Sequence, residues 1–466
     1  MTLNSKSFKL FFVFGLWFLA GFLWWFWSYV MVDGNLILTS WQPYWHLQTW
    51  LWHEVLPNKN LLAFGYTLVI LLLFLAWFFM LLSLKRLKPK TEKRLKTWQV
   101  VLIYLGLSLP FILAYNALSH DLFNYIFNAK MVLFYHANPH VKTALDFSYD
   151  PWTRFMHNVH TPAPYGYGWT GLSLAPYFLG LGKFSLTWLI FKLFEFLSLV
   201  VLFFLMRWWG RLLGFKLRLW HLASFFLNPL ILVEMLSNAH NDIWMMNLFL
   251  VASGLLLSFI KDKPIKLKNF QLTKLFGLIL SLFFFLLAGW IKLATFVTSV
   301  WYGLLFLASW FNLEKPKGII SGLLSIWLRE KVRLLVKLTP LAFSLLLFLL
   351  LLSSRSRQFL PWYLSWSLVF LPLLLAASEK ITLGVVRVDK KESLEWLPRV
   401  SLYFSFWLIG FSFSSLLRYL PWLYYAGYSD EIILKQKAIT WLGGLGLFVI
   451  LYLFRKKLTL KFLVND

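Results

Sequence analysis

The chain has 466 residues, of which 60% are hydrophobic, with a mean hydropathy of +0.68, no cysteine and a formal net charge of +26. Ordinary globular domains are roughly 45–50% apolar, so a water-soluble globule is excluded. Disulfides and thiolate metal sites are excluded with the cysteine, and basic residues lying between apolar runs argue against a nucleic-acid surface and for the positive-inside pattern of membrane proteins.

Lipid obliges every backbone amide to be satisfied internally, which here means helices. A span needs about 20 mainly apolar residues. That measure places twelve helices, at 8–30, 61–84, 98–117, 184–208, 219–236, 243–260, 272–289, 293–311, 338–352, 362–378, 400–417 and 439–454. The first follows Lys6 and Lys9, is too long for a signal-peptide core and has no small-residue cleavage site, so it is expected to remain in the protein.

Charge tests the arrangement. With a cytoplasmic N-terminus, the connectors at 85–96, 207–218, 261–274, 312–337 and 379–399 and the tail from 455 face inward, and each is rich in Lys and Arg. Those at 33–60, 118–168, 237–242, around 292, at 353–361 and at 418–437 face outward and are richer in Trp, Tyr, Pro and His. Eight of the nine histidines fall outside, His221 being the exception. Parity holds only if the apolar piece at 169–181, interrupted by Pro176, is a half-inserted helix packed on protein.

The expected architecture is an all-α polytopic membrane protein of about 12 transmembrane helices plus that short half-inserted helix. It divides into an N-terminal hairpin with its basic loop (1–97), a core (98–378) carrying the outer loop 118–168, and C-terminal helices (379–466). Tryptophans at 24–27 and 41–52 are expected in interfacial belts. The stretch 319–337, with Trp327, Arg329, Lys331 and Arg333, has the pattern of a basic amphipathic helix on the cytoplasmic surface.

Chemistry-bearing residues concentrate on the outward side. Asp121 opens the pattern Leu122, Tyr125, Ile126, Ala129, and fits either a general base acting on a hydroxyl or a helix cap. The run Asn238-Ala239-His240-Asn241-Asp242 is either a polar turn capping the next helix or part of the same site, since parity puts it on the face of Asp121. Arg355 and Arg357 run against the positive-inside bias, which suits a phosphate ligand or a snorkelling interfacial pair. Lys292 fits a second phosphate contact or an interfacial lysine. Mid-span Glu195 is expected to pair with Lys192. No HxxxH or HExxH spacing and no phosphate-binding glycine loop occurs. Glycines 443, 444 and 446 read as helix-packing positions.

These residues carry a resemblance. Ser119-His120-Asp121-Leu122-Phe123-Asn124-Tyr125 resembles the Asp-x-x-x-Tyr start of the first outer loop in GT-C glycosyltransferases, and more narrowly in bacterial polyprenol-phosphomannose-dependent α-1,6-mannosyltransferases. Asn138-Pro139-His140 and Tyr165-Gly166-Tyr167 stand where that loop has Asn-Pro-Tyr and Tyr-Gly-Pro, so His140 and Tyr167 are departures. Asn228-Pro229 with Asn238 to Asp242, and Pro361-Trp362-Tyr363-Leu364-Ser365-Trp366, are further matches in order.

The resemblance implies a membrane-embedded hexosyltransferase of the plasma membrane, mannose being favoured, that draws on a polyprenyl-phosphate sugar. It would work on the outer face upon a glycan or lipid acceptor, with cytoplasmic termini and no nucleic-acid partner. It makes Asp121 the base and places Asp242 at the second outer turn. His120, Tyr125, His240, Asn241, Trp362 and Tyr363 are expected around the substrates, and Lys292, Arg355 and Arg357 at the donor phosphate. No cofactor is required by the sequence, and a divalent cation is compatible with it. A ligase or polymerase using a diphosphate-linked glycan, and a non-enzymatic lipid or glycan transporter, are the alternatives.

Overall fold

The computed structural model describes residues 5–33, 36, 39–261, 266–267, 270–271, 273–311, 323–353, 359–382 and 396–454. Among them, nine helices are long and apolar enough to cross a membrane, or up to eleven if each of two bent pairs is one span. With the shorter apolar helix Thr97–Ile112, every expected span has a helical counterpart.

The bends follow from sequence. Leu219–Phe226 meets Pro229–Ser237 at 47°. Between them the Asn228 side chain accepts the Leu230 amide, and Pro229 takes the first helical position, where an N–H is not needed. Pro361–Leu368 meets Leu371–Glu379 at 42°, with Pro372 opening the second piece.

The third expected span stops early. Helix Thr97–Ile112 ends near Pro110, and residues 113–120 run on without helix to Asp121. Unwound backbone in a packed interior needs partners. The Lys192 ammonium donates to the carbonyls of Ala114 and Ser237, the Tyr115 amide to Ser28 Oγ at 2.9 Å, and Asn116 Nδ2 to the Asn238 carbonyl at 2.9 Å. The expected Lys192–Glu195 pair therefore does not form, because free carbonyls claim the lysine first.

Two further expectations are corrected. Residues 323–337 are not a separate surface helix: Leu323–Leu349 is continuous, Pro340 included, so the basic residues occupy the first turns of a span. Trp24 and Trp27 are core residues, not belt residues, at 0% and 5% exposure. Trp24 Nε1 donates to Ser237 Oγ at 3.1 Å, and Trp27 Nε1 to the Leu62 carbonyl at 3.3 Å. The first spans are thereby built into one continuous apolar core. Trp41 and Trp50 are exposed, as a belt requires.

The connector 33–60 contains a helix, Gln42–Trp50, continued by a wide turn at Leu51–Val55. Tyr167–Leu179, 13 residues and too short to span, stands where the half-inserted helix is expected. Between the last spans Gly444 meets the Phe411 ring, which a side chain would displace.

Candidate active site

Two carboxylates begin two helices at the same end of the bundle. Asp121 is the first residue of Asp121–Leu133, and Asp242 the first of Asp242–Ile260. Neither caps its helix. The N-cap positions belong to His120 and Asn241, neither with a side-chain cap bond, and the two acids enjoy the positive helix end while their oxygens turn elsewhere.

The turn between Ser237 and Asp242 aims His240. Ala239 takes a left-handed φ of 57°, and the His240 amide donates to the Glu234 carbonyl at 3.1 Å. The imidazole is thereby placed between two acids: Nδ1 lies 3.5 Å from Asp121 Oδ2 and Nε2 lies 3.4 Å from Glu234 Oε2. Its ring stacks on Trp362 at 3.8 Å. Glu234 is held in turn by Asn238 Nδ2 at 2.9 Å and by the Tyr419 hydroxyl at 3.0 Å.

Lys292 completes the other half. Its ammonium meets both oxygens of Asp242 at 2.8 and 2.9 Å, and Trp366 Nε1 donates to Asp242 Oδ1 at 2.6 Å. It also lies 5.7 Å from the Tyr165 ring and 5.8 Å from the Tyr363 ring. Tyr165 joins the halves, because its hydroxyl also acts on the Asp121 carboxyl and helps to lower its pKa. What brings Tyr165 here is Gly166, whose amide donates to the Ile291 carbonyl at 3.1 Å. A Cβ at 166 would sit 1.7 Å from the Trp290 carbonyl oxygen, so only glycine allows the loop to touch the chain beside Lys292.

The electrostatics fit a poised base. Burial alone would raise the Asp121 carboxyl, but His240, Tyr165 and Lys292 outweigh it and leave the pKa below the ordinary value. Burial would lower His240, but Asp121 and Glu234 outweigh that and raise it. The pairing thus favours the ionised form of Asp121 and the protonated form of His240. The stabilisation from a raised His240 is full below its unfolded value and is lost as pH rises through the folded value, whereas that from a depressed Asp121 is lost as pH falls through its folded value.

Transfer and thermal stability are therefore expected to decline together above the ordinary imidazole value of about 6.5. His240→Gln should remove that alkaline limb and lower the plateau. The same limb persisting in this variant would assign it to another group.

The expected residues distribute unevenly. Asp121, His240, Asp242, Lys292, Trp362 and Tyr363 come together as described. Tyr125 is buried beneath them, its ring 4.9 Å from Tyr165. Asn241 is buried with neither end of its amide hydrogen-bonded. His120 faces aside and stacks on His157 at 3.7 Å. Arg355 and Arg357 lie outside the described residues. His221 sits at the opposite end, 3.3 Å from Glu379.

Sequence reasoning gave no role in the site to Tyr165, Glu234, Trp366 and Tyr419, which look like ordinary span or motif residues until the chain folds. It also passed over Arg418, which is buried with Nη1 unpartnered and lies one residue before Tyr419. An arginine on the side poor in Lys and Arg was the available signal. Among the described residues no three His, Asp or Glu side chains gather as a metal site requires, and Asp242 is already taken by Lys292 and Trp366.

Comparison with known proteins identifies the family. No curated protein and no solved structure matches the chain. Residues 13–308, more than half of the chain and including both networks except Trp362, Tyr363, Trp366 and Tyr419, match the family described as alpha-(1->6)-mannopyranosyltransferase, N-terminal domain. The chain belongs to that family and is a membrane-embedded mannosyltransferase.

Proposed function

We propose that the enzyme moves mannose from a polyprenyl-phosphate donor to a hydroxyl of a glycan or lipid acceptor in one inverting displacement. The reaction takes place on the outer face of the plasma membrane, and both chain termini are cytoplasmic. The acceptor oxygen attacks the anomeric carbon while its proton passes to Asp121. The bond from that carbon to the phosphate oxygen breaks with both electrons, and polyprenyl phosphate leaves. An anionic leaving group needs no general acid, so one base and fixed cations suffice. Inversion to an α product requires a β-linked donor.

One observation carries this reading. An aspartate 3.5 Å from a histidine and a lysine fixed by a second aspartate lie about one tyrosine, at the end of the bundle whose connectors are poor in Lys and Arg. Lys292 takes the donor phosphate, joined by Arg355 and Arg357, with Arg418 on the same side. Asn241 and Trp362 face the sugar or acceptor. The scheme needs no cofactor. Family membership sets aside a transporter without chemistry.

The test is a donor comparison in proteoliposomes, with an α-mannoside acceptor. Mannose should pass from β-linked polyprenyl-phosphate mannose and form an α-1,6 bond. Equal transfer from a nucleotide sugar, or transfer of a whole glycan from a diphosphate-linked donor, would sink the proposal and, in the second case, favour the ligase reading.

A further inference from the structure

Where the helix Lys59–Lys85 ends, the chain folds back over an apolar cavity of about 290 Å³. Of the eighteen residues lining it, only Thr91 and Tyr104 have a polar side chain. Water finds almost no partner on such walls, so the fitting occupant is a hydrocarbon chain. The volume lies just under the roughly 300–1,000 Å³ usual for small-ligand sites, so it takes part of one chain and not a whole lipid. Ile103, on its edge, is 45% exposed, and the space therefore reaches the outer surface of the bundle.

The rim is basic. Residues 85–96 carry seven Lys or Arg and a single acid, Glu92. Leu87, Thr91 and Leu95, spaced four apart around the short helix Pro89–Arg94, line the cavity. Arg86, Lys88, Lys90, Arg94 and Lys96 are exposed around them. This strap is pinned from below by Arg218. Its Nη2 donates to the carbonyls of Lys85 and Leu87 at 2.9 and 2.6 Å, and its Nη2 and Nε meet Glu92 Oε1 at 3.0 and 3.2 Å. The acid is thereby neutralised inside the fold, and the exposed charge of the strap is wholly positive.

Several cations at the end of a span lie at the level of lipid headgroups, where they attract anionic ones. Topology alone asks only that such residues be basic. It does not ask for an apolar space beneath them or for an arginine holding the strap in place over it.

We propose that this end of the bundle is a binding site for one anionic phospholipid, with part of an acyl chain in the cavity and the phosphate head on Lys88, Lys90 and Arg94. The site lies at the Lys- and Arg-rich end, away from Asp121, and takes no part in the chemistry. A polyprenyl phosphate also joins an apolar tail to an anionic head. Choosing a bulk phospholipid over it rests on the reading above, which puts the donor phosphate with Lys292 at the other end.

The test is native mass spectrometry on the delipidated full chain in detergent, titrated with phosphatidylglycerol, with phosphatidylcholine and with polyprenyl phosphate. The first phosphatidylglycerol should bind about tenfold or more tightly than phosphatidylcholine, since each surface cation adds to the attraction. Neutralising the rim with Lys88→Gln, Lys90→Gln and Arg94→Gln together should abolish that preference and leave phosphatidylcholine unchanged. Val100→Phe, which fills the cavity and keeps every cation, should weaken both lipids about fourfold for each methylene the ring displaces. It also decides the matter if the triple variant melts early. Equal binding of the two phospholipids by the wild type, a preference surviving in the triple variant, or lipid binding unchanged in Val100→Phe would overturn the site. Displacement of the bound phosphatidylglycerol by an equal concentration of polyprenyl phosphate would overturn the choice of ligand. Lipid binding is read without turnover, so failure of the donor comparison above leaves this result separately legible.

Discussion

Asp121→Asn is expected to lower mannosyl transfer by about 10²–10⁴-fold, the usual contribution of a positioned general base. The substitution keeps the shape of the side chain, which is 19% exposed. It removes the charge that His240 faces and the site that receives the acceptor proton. His240 should then lose much of its raised pKa, because one of the two carboxylates sustaining it is gone. Single-turnover transfer in proteoliposomes measures the first effect, and the pH dependence of thermal stability the second. Near-normal turnover in a variant with the expected pH shift would show Asp121 to be an electrostatic partner of His240 and no base.

Lys292→Met carries the second large effect, and it acts on two quantities. Asp242 is fully buried and, among the described residues, keeps only Trp366 Nε1 once the ammonium is gone. Stranding a buried charge costs about 3–5 kcal/mol, so the melting temperature should fall clearly. Transfer should fall by about 10²–10³-fold, the cost of losing one preorganised electrostatic contact to developing charge. The double variant Lys292→Met with Asp242→Asn separates the two, since it removes both members of the pair. Stability should largely return while transfer stays low. Recovery of transfer along with stability would make Lys292 a packing device for Asp242 and remove it from the donor phosphate.

The site shows why local reading left its pieces undecided. Asp121 could be a cap or a base because both occupy the first turn of a helix. The outcome depended on a histidine 119 positions away and on a turn with one left-handed residue, Ala239. Lys292 could be an interfacial lysine because nothing beside it in sequence is acidic. Its partner arrives from a helix 50 positions earlier. Trp24, read as a belt residue, is drawn inward by Ser237. In each case the deciding neighbour is remote in sequence, where periodicity carries no information.

The amino-acid sequence by itself determined the class and the helices. Lipid leaves a span few ways to satisfy its backbone, so a long apolar run reads as a helix wherever it occurs. Proline and asparagine marked one break at Asn228-Pro229. Only the tertiary structure decided which polar groups share a space: the Glu234–His240–Asp121 line, the Lys292–Asp242 pair and the Lys192 ammonium spent on carbonyls. Hydrophobic length is a property of one segment, whereas a charge in a packed interior is set by whichever groups from other segments come within a few ångströms of it.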